Sequence, residues 1–173
     1  RNTILKVLKL VKYRSTSERE RLAKYISTSA RVSLRNDLML SSEQVVRLRD
    51  FGMSIGGHTV SHPILSNLST GEVASEISEN KKFLENLLQQ RIRLFAYPNG
   101  KPNADYRAVD AEVVRKLGFD AAVTTAWGVA DSSSDLMQLP RFTPWDRNSF
   151  GFRLRMLRNL AANTSLQLEQ RAS

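Results

Sequence analysis

An α/β fold with parallel strands, closed as a barrel or open as a doubly wound sheet, is what this sequence predicts. Two observations predict it. From residue 41 onward helix-like and strand-like segments alternate, and such alternation is the mark of parallel strands joined by crossover helices. Each strand-like segment then runs into a polar loop. The loops therefore gather at the C-terminal edge of the sheet, where proteins of this class place their sites.

The elements follow in order. Residues 2–13 read as a basic amphipathic helix, with Ile4, Leu5, Leu8 and Val11 on one face. A second helix is expected over 17–32, begun at Ser17, with Glu18 and Glu20 in its first turn where the dipole favours anions. A third runs from Ser41 or Ser42 to Asp50, with Ser41 and Gln44 as a capping box and Gly52 beyond its end. Residues 53–56 read as a short strand. Ser69 and Glu72 cap a long helix to about Gln90, whose buried stripe is Val73, Ile77, Leu84 and Leu88. A strand over 92–97 ends in the turn Pro98, Asn99, Gly100. A helix from Asn103 or Ala104 to Leu117 is closed by Gly118. Strands follow at 119–124 and 139–142, then a basic helix over 150–163 and a weakly ordered tail.

Composition narrows the function classes. An apolar share of 41% and a charged share of 25% are those of an ordinary globular chain with one core. No run approaches the roughly 18 apolar residues of a membrane span. The absence of Cys excludes thiolate metal sites and disulfides. The net charge of +9 sits at the ends: 12 basic against 5 acidic residues in 1–50, 8 against 10 in 51–140, and 6 against 2 in 141–173. Such ends suit contact with an anionic surface or plain solvation. With 8% aromatics and no recognition motif, nucleic acid is not expected as a partner.

His58 and His62 are the only histidines, and they lie four apart in the loop after the strand at 53–56. Imidazole is the commonest ligand for zinc and similar ions, so the pair is a candidate metal site. Gly56 and Gly57 before it, the β-branched Thr59 and Val60, and Pro63 after it disfavour a helix and predict a tight loop. No Glu follows His58, so the helical His-Glu-x-x-His protease pattern is absent. Two histidines fall short of the three protein ligands usual in catalytic zinc sites. Two unliganded loop histidines remain the plain alternative.

The segment from Gly56 through Ser69, with Met53, Ser54 and Ile55 ahead of it, resembles the second motif of the polysaccharide deacetylases, the NodB-like group of carbohydrate esterases. Phe95, Ala96, Tyr97, Pro98, Asn99 and Gly100 resemble that family's third motif. Leu139, Pro140 and Arg141 are similar to the closing strand in one branch, as are Asp37, Leu38, Met39 and Leu40 with the helix after them.

The resemblance implies a partial, distorted (β/α) barrel of NodB type. It implies a metal-dependent hydrolase that removes N-acetyl groups from a polysaccharide or oligosaccharide. His58 and His62 would hold a divalent ion, zinc first, together with an Asp, and a second Asp would act as base. The backbone N–H of Tyr97 would contact the oxyanion, and Pro98 and Asn99 would line the substrate. Trp127, and Trp145 beyond it, are candidate stacking surfaces for a sugar, and Arg141 a cation near the carboxylates.

The departures are as informative. No Asp-Asp pair occurs anywhere in the chain, and the family's late histidine has no counterpart. Asp131 and Asp135 share a loop at the right strand end, but nothing marks either as a ligand. The expectation is therefore a helical, basic lead-in over 1–36, the C-terminal portion of a deacetylase-like domain over 37–147, and a basic helix and tail over 148–173. Its early strands would be missing, the piece alone would be inactive, and its open edges would invite self-association. The alternative is a non-catalytic module that keeps the fold and binds a glycan or an anionic surface.

Overall fold

The structure, a computed structural model, describes residues 2–33, 38–141, 146 and 148–159. Two helices lead in: α1 (Asn2–Lys12) and α2 (Thr16–Ser29). The second starts earlier than expected. Ser15, not Ser17, is the cap: its hydroxyl accepts the Glu18 N–H while the Glu18 carboxylate accepts the Ser15 N–H. A reciprocal box satisfies two orphan donors and so outcompetes a start two residues later. Lys12 joins α1 to the body through the buried Asp105, 3.2 Å away.

Helix α3 (Ser42–Asp50) and helix α4 (Thr70–Leu88) carry the two capping boxes expected, at Ser41 with Gln44 and Ser69 with Glu72. Val73, Ile77, Leu84 and Leu88 form the buried stripe of α4, as the periodicity requires. Strand β1 (Leu94–Ala96), helix α5 (Ala108–Lys116) and strand β2 (Ala121–Val123) follow. Helix α5 begins later than expected. Asn103 takes a positive φ, and Asp105 turns its carboxylate back to the Lys101 N–H, so 103–107 form a turn. Asp110 then accepts the Arg107 N–H and opens the helix there. A final helical segment covers 149–159, and the rest of the helix expected to 163 lies outside the described residues.

The strands pair in parallel, Leu94 with Ala121, Phe95 with Ala122 and Ala96 with Val123. The strand expected at 53–56 is reduced to one parallel bridge, Gly57 to Phe95. Glycine contributes no side chain to a strand, but here it is required. A Cβ on Gly56 would come within 3.0 Å of the Leu94 carbonyl, and one on Gly57 within 3.1 Å of Asn80 Oδ1. The strand expected at 139–142 is likewise one bridge, Val123 to Leu139, and Phe142 lies outside the described residues. The spatial order is therefore Gly57, β1, β2, Leu139, parallel throughout and in chain order, as in a barrel sector.

The two faces of this sheet differ. Phe95 and Ala122 point into the core shared with α4 and α5. Leu94, Ala96, Ala121, Val123 and Leu139 border a cavity of about 300 Å3 on the other side, with His58 at its rim. No helix among the described residues is long and apolar enough to cross a membrane.

Candidate metal centre

Residues 58–62 form a tight loop at the end of the sheet, held by two residues of α4. The His58 N–H donates to Asn80 Oδ1 at 3.0 Å. One turn earlier, Glu76 Oε2 accepts the N–H groups of Val60 and Ser61, both at 2.9 Å, and its Oε1 accepts the Ser61 hydroxyl at 2.7 Å. Positions 76 and 80 share a helix face, so one surface of α4 grips the loop at two points. The loop is bent: Thr59 has φ 66° and His62 φ 54°. A β-branched residue with positive φ is costly and persists only where its surroundings fix it. Thr59 closes the bend, its hydroxyl donating to the His58 carbonyl and accepting the His62 N–H.

The rings of His58 and His62 lie edge to face with centroids 4.8 Å apart. His58 Nδ1–H donates to the Ala96 carbonyl at 2.6 Å. In a neutral imidazole that bond places the proton on Nδ1 and the lone pair on Nε2, the arrangement a metal-ligating histidine needs. Burial, then the neighbouring His58, then the charge of Arg19 push His62 below the ordinary imidazole range, and so toward its neutral, ligating form. The pair thus fits a divalent ion as two of its ligands. No cluster of three His, Asp or Glu suited to a metal occurs among the described residues.

The turn expected at 97–100 is present, with Asn99 at φ 56° and Gly100 at φ 73°. Its start is adjacent to the His58 anchor at Ala96. The Tyr97 N–H, expected to face an oxyanion, donates to the Val123 carbonyl at 3.2 Å. Two residues on, the Asn99 N–H has no acceptor among the described residues, while its carbonyl accepts the Thr125 hydroxyl. The Tyr97 side chain is buried. It stacks on Tyr106 at 3.9 Å, and its hydroxyl donates to the Met137 carbonyl at 2.8 Å. Pro98 is buried beneath the turn.

The other candidates lie apart from the histidines. Arg141 donates its N–H to Ala126 and exposes its side chain, and no described contact joins it to the loop. Trp127 packs under the Arg155 guanidinium, 5.9 Å from the ring centroid. Trp145 and Asp37 lie outside the described residues. Asp131 accepts the N–H and hydroxyl of Ser133 in a turn of its own. Asp135 accepts the Met137 N–H, Gln138 Nε2 and Arg115 Nη2, which makes it a cap for the 3-10 turn Leu136–Gln138. Glu76 and Asn80 were invisible to motif reading. Their only signal was polar residues four apart, beside the buried stripe of α4.

The hydrogen bond from Gln138, then the Met137 N–H, then Arg115 hold Asp135 below the ordinary carboxylate range. A carboxylate lowered in the folded state stabilises fully above its unfolded pKa and loses that contribution as pH falls through the folded value. Asp135→Asn should therefore lower stability at neutral pH and flatten the acid limb of thermal unfolding, the two proteins converging as the pH falls below about 4. The difference should stay under about 1 kcal/mol, since the side chain is 40% exposed and screened. Identical acid limbs would refute this.

The parallel sector, with a histidine loop and a proline-containing turn at adjacent strand ends, is an α/β scaffold of barrel type whose candidate site lies at one edge of the sheet. The sequence profile of the polysaccharide deacetylase family matches residues 14–122, more than half of the chain. The chain belongs to the polysaccharide deacetylase family, with a NodB-type fold. It is 29% identical over 102 residues to YxkH of Bacillus subtilis (strain 168), which carries the family's name. Among solved structures it is similar to the Streptococcus pyogenes deacetylase PplD in complex with acetate, with TM-score 0.58 and 29% identity over 62% of this chain. IcaB from Ammonifex degensii gives TM-score 0.53 and 25% identity over 61% of this chain. The chain spans 35% of the length of YxkH, 46% of PplD and 49% of IcaB.

Proposed function

We propose that these residues form the metal-holding half of an active site that removes N-acetyl groups from a polysaccharide. The observation that carries the reading is the His58 Nδ1–H bond to Ala96, which presents Nε2 outward beside His62. His58 and His62 would hold a divalent ion, zinc first. Such an ion, when bound, supplies Lewis acidity to the acetamide carbonyl and to the attacking water.

The chain's own residues do the remaining positioning. Asn80 and Glu76 hold the histidines in register. The turn after β1 supplies the oxyanion contact. Tyr97 would first have to release Val123, whereas the Asn99 N–H is unspent, so the contact falls to Asn99. Pro98 fixes the turn beneath the substrate. Two carboxylates outside the described residues would complete the site, one as third ligand and the other as base, and the rest of the barrel would close over the open sheet face. In this reading residues 37–147 carry the site, and the basic flanks 1–36 and 148–173 lie outside it.

Zinc content after dialysis, measured for wild type and His58→Ala, tests the site. The expected result is bound zinc in the first and its loss in the second; equal content would remove both ligands from the reading. Acetate release from an acetylated chitooligosaccharide with added zinc should be near background for residues 1–173 alone. Robust turnover would overturn the claim that a carboxylate must be supplied from elsewhere.

A further inference from the structure

A second cavity, of about 450 Å3, lies between the loop after β2 and the C-terminal helical segment, and none of the features above uses it. Its volume falls in the range of small-ligand sites. Trp127, Asp146, Leu154, Arg155, Arg158 and Asn159 border it. Arg155 is already committed. It pairs with Asp146 through two bonds, 2.5 and 3.0 Å, and packs over the Trp127 ring. Arg158 is different. It is exposed, and no carboxylate among the described residues pairs with it. Asn159 is 5% exposed, and its Nδ2 has no hydrogen-bond partner among the described residues.

These three features specify a ligand. A buried amide N–H group without a partner is costly, and an oxygen acceptor removes that cost. The Arg158 guanidinium, without a carboxylate partner among the described residues, calls for an anion, preferably a planar carboxylate that it can grip at two points. The Trp127 indole, 56% exposed, borders the same space and adds apolar surface beside the Arg155 guanidinium that packs on its ring. We infer that this cavity is a subsite for an acidic sugar unit. The sugar ring lies beside Trp127, its carboxylate on Arg158, and a ring or hydroxyl oxygen accepts from Asn159 Nδ2. The Asp146 carboxylate does not oppose this, because Arg155 neutralises it. The inference rests on the deacetylase reading for the ligand being a glycan, and deepens it by naming the sugar class.

The test titrates residues 1–173, without metal, with a hyaluronan tetrasaccharide and with tetra-N-acetylchitotetraose. Tryptophan fluorescence and saturation-transfer NMR read the binding. The acidic probe should bind about tenfold more tightly than the neutral one, the usual worth of one charge-assisted contact. Arg158→Met should erase that preference, Asn159→Leu should weaken both probes, and Trp127→Ala should remove the saturation transfer to the ring protons. Arg153→Met is the control: it removes an exposed charge from the same helix without touching the cavity. If Arg153→Met lowers acidic-probe affinity as much as Arg158→Met, or if both probes bind equally, the subsite is overturned. Should Asn159→Leu fail to fold, the comparison of the two exposed arginines still decides. Probe discrimination with no zinc at the histidines would leave the subsite standing and sink the metal site; zinc binding without discrimination would do the reverse.

Discussion

Glu76→Ala should loosen the histidine loop and cost about 2–3 kcal/mol of stability, seen as a lowered midpoint in urea unfolding. Three donors lose a charged acceptor at once: the N–H groups of Val60 and Ser61, and the Ser61 hydroxyl. The loop is exposed at Val60 and Ser61, so water replaces part of what is lost and keeps the cost below that of a buried ion. The bend at Thr59 and His62 is the larger casualty. Both residues hold positive φ, and without Glu76 the chain between them can relax toward ordinary backbone. The rings then leave their 4.8 Å pairing, and zinc affinity should fall about 10- to 100-fold, the usual effect of losing a residue that orients ligands. Glu76→Gln separates charge from geometry. Its amide oxygen can still accept the two backbone N–H groups while its nitrogen faces the Ser61 hydroxyl, so most zinc affinity should return. If Ala and Gln variants bind zinc as the wild type does, α4 does not position the site.

The second large effect belongs to Tyr97. Tyr97→Ala should destabilise the chain by about 3–5 kcal/mol, because it removes a buried ring from between Phe95 and Tyr106 and leaves a cavity. Tyr97→Phe should cost only about 1–2 kcal/mol, the price of leaving the buried Met137 carbonyl without its donor. Burial, with Tyr106 beside it, drives the phenol well above its ordinary pKa, so it takes no part in proton transfer near neutral pH. Neither change deletes a backbone N–H. In a deacetylase completed with its carboxylates, the Phe variant should therefore keep its turnover per folded molecule. A Phe variant that folds but loses turnover would place the hydroxyl itself in the chemistry.

Much of this molecule was legible in the residues. The boxes Ser41 with Gln44 and Ser69 with Glu72 announce helix starts, because each is a local hydrogen-bond exchange over three residues. The stripe Val73, Ile77, Leu84, Leu88 names the buried face of α4 for the same reason: helical period alone sets it. The alternation of helix and strand carried the parallel sheet. Local signals misled where two of them competed, as at Ser15 against Ser17, or where strand length depended on a partner, as at residues 53–56.

The histidine pair, its glycines and the turn at 97–100 were thus fixed by short-range pattern. What long-range contact alone decided is which polar groups remain free. The Tyr97 N–H is spent because β2 lies beside it, Asp135 is spent on Arg115 twenty residues away, and the His58 proton is assigned by a carbonyl on β1. Glu76 became part of the site only when α4 packed against a loop fifteen residues back. Hydrogen bonds between distant segments depend on how those segments pack, and no spacing within one segment encodes that.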